Sequence, residues 1–156
     1  MPLRKKLLWR LYISYIFLIL LAVVAITGFS YSYLRGFYLE NHAKGLQARL
    51  ELLQEMIQGH YALSDSSFVD GICKNTGKQI GTRFTVILPD GLVIADSKKD
   101  RQTMENHSDR PEIVKALAGK VGVSMRRSTT LGRDLMYVAV PVKMDGHIVA
   151  VVRAAT

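Results

Sequence analysis

The sequence predicts an α+β domain: a five-stranded antiparallel sheet with a long N-terminal helix, preceded by one transmembrane helix. Three observations predict it. An apolar run without a single charge extends from Leu11 to Tyr33. Behind it, Leu39, Ala43, Leu46, Leu50, Leu53 and Ile57 recur at alternating spacings of four and three, the mark of one helical face. From Arg83 onward the period shortens to that of strands, punctuated by Pro89-Asp90-Gly91 and Asp145-Gly146 turns. The 156 residues, 49% of them hydrophobic, leave room for one ordinary domain outside the membrane and are too apolar for a disordered chain.

Residues 1–10 read as a cytoplasmic N-terminus and 11–33 as the transmembrane helix. At about 1.5 Å per residue the run crosses a hydrocarbon core of roughly 30 Å. Only a helix satisfies its own backbone in lipid at that length. Trp9, Tyr12, Tyr31 and Tyr33 flank it at interfacial depth. Arg4, Lys5, Lys6 and Arg10 precede the run and supply half of the net charge of +8, whereas only Arg35 follows closely. That asymmetry places the N-terminus in the cytoplasm, the body of the chain outside it, and the protein in the cell membrane. A cleaved signal peptide is the competing reading, with Val23-Val24-Ala25 as its cleavage site; the apolar helical pattern continues well past that point.

Residues 34–59 continue as a stalk helix that Gly59 stops. Its apolar stripe suits either a homodimer seam or the cover of the domain's own sheet, and both remain open at this point. Residues 60–156 form the domain. Ser64-Asp65-Ser66-Ser67 offers N-caps for a second helix, with Phe68, Val69, Ile72 and Cys73 on its apolar side and Gly77 at its end. Arg83–Leu88 and Leu92–Asp96 make a hairpin. Residues 97–110 are polar loop with a turn of helix. Pro111 opens a short helix, Glu112–Ala118, closed by Gly119. Gly122–Arg127, Asp134–Val142 and His147–Ala154 are the remaining strands. Helices on one side of the sheet would leave the other face open, with residues 97–110 above it, and a pocket is expected there.

Composition excludes several functions. The positive charges beyond the N-terminal cluster are scattered among acids and never interleave with aromatics, which argues against nucleic-acid binding. Cys73 is the only cysteine, so it forms no intrachain disulfide and reads as a small buried hydrophobe. His42, His60 and His147 lack metal-ligand spacing, and Met104, Met125, Met136 and Met144 read as core. With no glycine-rich phosphate loop and no nucleophile motif, no catalytic residue, metal or cofactor is assigned.

Arg83-Phe84-Thr85-Val86-Ile87-Leu88-Pro89-Asp90-Gly91-Leu92-Val93-Ile94-Ala95-Asp96-Ser97 resembles the first hairpin of PAS-like (Cache-type) bacterial sensor domains. Met104-Glu105-Asn106-His107 followed by Arg110-Pro111-Glu112-Ile113 is similar to the next segment of phosphate-regulon sensor histidine kinases, and Asp134–Val142 to their late strand. The resemblance covers essentially the whole chain. It implies an extracytoplasmic input region joined, past Thr156, to a second membrane helix, a HAMP linker and a kinase core. That core would phosphorylate itself and then a response regulator, under phosphate limitation. Up to Thr156 there is no phospho-accepting histidine box and no ATP-binding motif, so kinase activity is expected to reside outside these residues. The same front end also serves chemoreceptors and cyclic-nucleotide signalling enzymes, and a single-span envelope scaffold is a third reading.

The candidate ligand residues are Asp96, Asn106, His107, Arg110, Arg126 and Tyr137. Arg110 offers a fork of donors for a small anion, and His107 a group that responds near neutral pH. Arg126 and Arg127 point to opposite faces of a strand, so one of them looks inward. The competing reading is structural for each. Asp96 caps a turn, Asn106 and His107 hold a loop, Arg110 pairs with Asp96, Asp109 or Glu112, and Tyr137 packs. An envelope protein is the alternative to a small ligand as the thing sensed.

Overall fold

The computed structural model describes residues 2–58, 65–128, 132 and 134–156, with side chains from residue 8 onward. The expected stop at Gly59, His60 and the Ser64 cap lie outside these residues. The chain divides into two compact units, residues 1–41 and 42–156.

Helix α1 spans Pro2–Gln58. Within it lies one segment long and apolar enough to cross a membrane, with a hydropathy of 2.4 and none of that window buried. Its large apolar side chains, such as Phe17, Leu21 and Phe29, are more than half exposed, as lipid-facing groups would be.

In the second unit, α2 (Ser66–Ile80) starts at Asp65, whose carboxylate accepts from the N–H groups of Ser67 and Phe68. It runs past Gly77, the stop expected from the sequence, to Gly81. Gly81 takes φ 69°, the left-handed cap that glycine adopts without strain. Gly77 serves packing instead: a Cβ there would fall 2.5 Å from the Ser97 Cβ. Strands β1 (Arg83–Ile87) and β2 (Val93–Asp96) form the hairpin. After a 3-10 turn at Arg101–Thr103 come α3 (Pro111–Leu117), β3 (Gly122–Arg127), β4 (Asp134–Met144) and β5 (His147–Ala155). The last two strands are slightly longer than expected and meet at Asp145-Gly146, both at positive φ (50° and 79°).

The sheet is antiparallel, in the order β2-β1-β5-β4-β3. Register assigns the faces, because residues paired directly across strands share one. Thr85 pairs with Asp96 and Arg153, Ala139 with Arg153, Tyr137 with Ala155 and Ser124. These define the polar face. Ile113 and Ala116 of α3 pack on that same side with Ile87, Val93, Ala139 and Val151. The expectation of helices on one side only is therefore corrected: α3 packs on the face expected to carry only the polar loop. The alternate residues, Phe84, Val86, Val138, Val152 and Ala154, fill the opposite, apolar face and are fully buried. α2 packs at the β2 edge.

The expected stripe on α1 is spent inside the chain. Leu46, Leu50, Leu53 and Ile57 are at most 1% exposed. Hydrogen bonds from Arg49 to the Thr82 hydroxyl and from Gln58 to the Lys143 carbonyl, with His42 bonded to the Thr156 hydroxyl, tie this stretch to both ends of the sheet. Burying these four side chains gives the sheet its second layer.

Candidate functional site

Five cationic side chains converge on a cavity of about 180 Å³ over the polar face: Arg83, Lys99, Arg110, Arg126 and Arg153. His107 and Tyr137 complete its floor and wall, and Glu105 is the single acid among the lining residues. Strand alternation delivers the floor. Arg83, Arg126, Tyr137 and Arg153 all occupy polar-face positions of four different strands.

The arginines are held from behind. Arg83 Nε donates to both Asp96 carboxylate oxygens, at 3.2 and 3.0 Å. Asp96 also accepts from the Thr85 hydroxyl at 2.8 Å and from the backbone N–H groups of Lys98 and Lys99 at 2.9 Å. Arg153, 2% exposed on central strand β5, donates to Glu112 Oε1 at 3.4 Å and to the Thr85 hydroxyl at 3.2 Å. Arg126 donates to the same Glu112 oxygen at 3.2 Å, and its guanidinium carbon lies over the Tyr137 ring, 4.0 Å from its centroid. Burial lowers the Arg153 pKa to about 10, partly offset by Glu112, so the guanidinium remains charged at neutral pH.

The roof comes from the loop. Asn106 donates to the Asp90 carbonyl at 2.8 Å and accepts from the Ser108 N–H at 2.8 Å, while the His107 N–H donates to the Gly91 carbonyl at 2.9 Å. This folds the segment against the hairpin turn. Gly91 has φ 88°, and a Cβ there would collide with the Asn106 side chain. The His107 ring then hangs into the cavity. Burial first, and then Arg153, Arg110 and Arg126, lower its pKa. Arg110 reaches Asp109 at 3.6 Å and Glu105 at 3.8 Å, both highly exposed and therefore weak partners.

Of the six candidate residues, His107, Arg110, Arg126 and Tyr137 line the cavity. Asp96 sits beneath it as the counter-ion of Arg83, and Asn106 points away into its turn. Sequence reasoning missed Arg83, Lys99, Arg153 and the buried Glu112. Arg153 had a signal: a lone charge inside the apolar strand His147–Ala155, where a core arginine requires a partner. Lys99, in a polar loop, had none.

Four of the lining residues carry a buried atom without a hydrogen-bond partner: Nε of Arg110, Arg126 and Arg153, and Nδ1 of His107. Clustered buried donors of this kind suit an anion rather than a cation. Among the described residues no group of three or more His, Cys, Asp or Glu side chains is placed to hold a metal ion.

A family model described as single Cache-like matches residues 37–153. The chain belongs to the single Cache-like family. No curated protein matches it by sequence. Solved structures share the Cache-like fold at low identity. The sensor domain of the V. cholerae histidine kinase DctB is 18% identical with a TM-score of 0.53, over 75% of this chain and 56% of that one. The ligand-binding domain of Mlp24 with asparagine is 12% identical with a TM-score of 0.61, over 76% and 50%. That of the Pseudomonas fluorescens chemoreceptor CtaA in complex with L-alanine is 14% identical with a TM-score of 0.59, over 75% and 53%. The Cache-like chain thus spans about half the length of these domains.

Proposed function

We propose that this chain is the extracytoplasmic signal-input region of a membrane two-component sensor histidine kinase, and that it reads a small anion in the cavity. One observation carries the reading: Arg110, Arg126, Arg153 and His107 line a single small cavity, and each has a buried side-chain nitrogen without a hydrogen bond. The segment Met104–Ile113, similar to that of phosphate-regulon kinases, favours phosphate limitation as the stimulus. Any response regulator is reached only through a kinase core outside these residues. The positive cluster before Leu11 supports a cytoplasmic N-terminus and an extracytoplasmic domain.

The test is calorimetric titration of the full chain in lipid nanodiscs with phosphate, carboxylates and amino acids. Binding that weakens at least tenfold in Arg110→Ala supports the assignment; no heat with any anion removes it.

A chemoreceptor input region is the second reading, favoured by fold neighbours whose domains hold asparagine and L-alanine. An amino acid would bring its ammonium group into a site already crowded with guanidinium groups, which argues for a simple anion here. The coding sequence beyond Thr156 separates kinase from chemoreceptor outright.

Homodimerisation through the 34–59 helix belongs to the same proposal. Leu52, 62% exposed, is a large apolar group on this helix that its own domain leaves uncovered.

A further inference from the structure

Glu112 has no role in the reading above beyond backing two arginines, yet it is a fully buried charge at the site. It is 0% exposed, sits in the first turn of α3, and lends one oxygen to both Arg126 and Arg153. Its other oxygen, Oε2, is buried without a partner. A carboxylate that only needed neutralising would use both oxygens on one guanidinium fork. Here one oxygen bridges two arginines that come from β3 and β5.

The backbone beneath it is fixed. α3 is seated so closely on β3 that a Cβ at Gly122 would collide with the Glu112 carbonyl. Glu112 is therefore a stationary anion. By occupying one terminal nitrogen of each guanidinium it leaves Nε of both aimed elsewhere, and those are two of the partnerless donors.

Charge then sets what the site accepts. Four arginines that are buried or half-buried (Arg83, Arg110, Arg126, Arg153) stand against two fully buried carboxylates, Asp96 and Glu112. Two positive charges remain. Lys99, Glu105 and Asp109 are exposed and screened by solvent, so they stay outside this balance.

We infer that Glu112 is the positioning and charge-setting residue of the cavity: it orients Arg126 and Arg153 and leaves a surplus matched by a small dianion. The inference rests on the anion-sensing reading and specifies its ligand class. A monoanion would leave one charge uncompensated in a largely buried site, and a trianion would overshoot.

The experiment is calorimetric titration of the full chain in nanodiscs at pH 7.5 with acetate, sulfate and succinate. In the native protein both dianions bind more tightly than acetate, and the stronger of the two tells a tetrahedral oxyanion from a dicarboxylate. Glu112→Gln raises the surplus by one, so the dianion-to-acetate affinity ratio widens by about tenfold, an effect expected of one added charge at this range. The double variant Glu112→Gln/Arg126→Gln restores the surplus and returns the ratio to its native value. If Glu112→Gln does not fold, the double variant compared with Arg126→Gln alone carries the same test, the ratio being larger in the double variant. A ratio unchanged across these variants overturns the Glu112 assignment and leaves the anion pocket standing. No binding of any of the three probes to the native chain overturns both.

Discussion

His107 is a neutral imidazole among guanidinium groups. Its folded pKa lies below the ordinary 6.5, through burial first and then Arg153, Arg110 and Arg126. The sign of the stability effect follows. Below about pH 6.5 the unfolded chain binds a proton that the folded one resists, so His107 subtracts stability as pH falls and costs nothing above that value. Ligand binding runs the other way. A bound anion offsets the three arginines and lets His107 take up a proton, so anion affinity rises as pH drops from 8 to 6. Calorimetry in buffers of different ionisation enthalpy reads the proton uptake directly, and His107→Gln flattens the dependence. Arg153 sits at the other extreme of tolerance. Arg153→Met leaves Glu112 with Arg126 alone and strips the Thr85 hydroxyl of a donor, so we expect a loss of about 3 kcal/mol in urea unfolding.

At the scale of elements, three glycines that look alike in the sequence do different work. Gly81 holds a positive φ in open space, so Gly81→Ala costs only backbone strain, about 1 kcal/mol. Gly122 has no such strain but no room either; Gly122→Ala pushes α3 off β3 and costs several times as much, about 3 kcal/mol. Thermal unfolding of the two variants side by side checks the order, which reverses if backbone conformation matters more than space. Gly77 explains the misplaced end of α2. A glycine after an apolar helical stretch reads as a stop, and nothing local distinguishes a cap from a seat for Ser97, which follows β2 twenty residues later. The hairpin turns, by contrast, were legible, because Pro89-Asp90-Gly91 and Asp145-Gly146 encode their own backbone geometry.

For the whole molecule, the apolar segment and the polar site make separate predictions. A reporter fused after Thr156 should be active outside the cytoplasm, and a cytosolic signal removes the extracytoplasmic reading. Cysteine introduced at Leu52 should crosslink copies in native membranes, whereas cysteine at Leu50, which is 0% exposed, should not. Equal crosslinking at both positions argues against a seam on the exposed side of the helix. These expectations separate two uses of one amphipathic helix. The heptad stripe at Leu46, Leu50, Leu53 and Ile57 has a spacing that serves a partner helix and a sheet equally well. Only the presence of a sheet with a fully apolar second face decides which of them claims it.

By itself the sequence determined what depends on neighbours along the chain. Charge-free length marks the candidate membrane span, period marks helix and strand, and turn residues mark the hairpins, because each is set by interactions within a few residues. Of the residues it singled out, His107, Arg110, Arg126 and Tyr137 line the cavity. Tertiary structure alone decided that Arg153 and Glu112, 41 positions apart, share a buried ion pair, and that Asp96 belongs to Arg83 rather than to the cavity. Electrostatic partnership is a matter of distance through space, and a strand order that places β5 between β1 and β4 brings together charges that no spacing in the sequence relates.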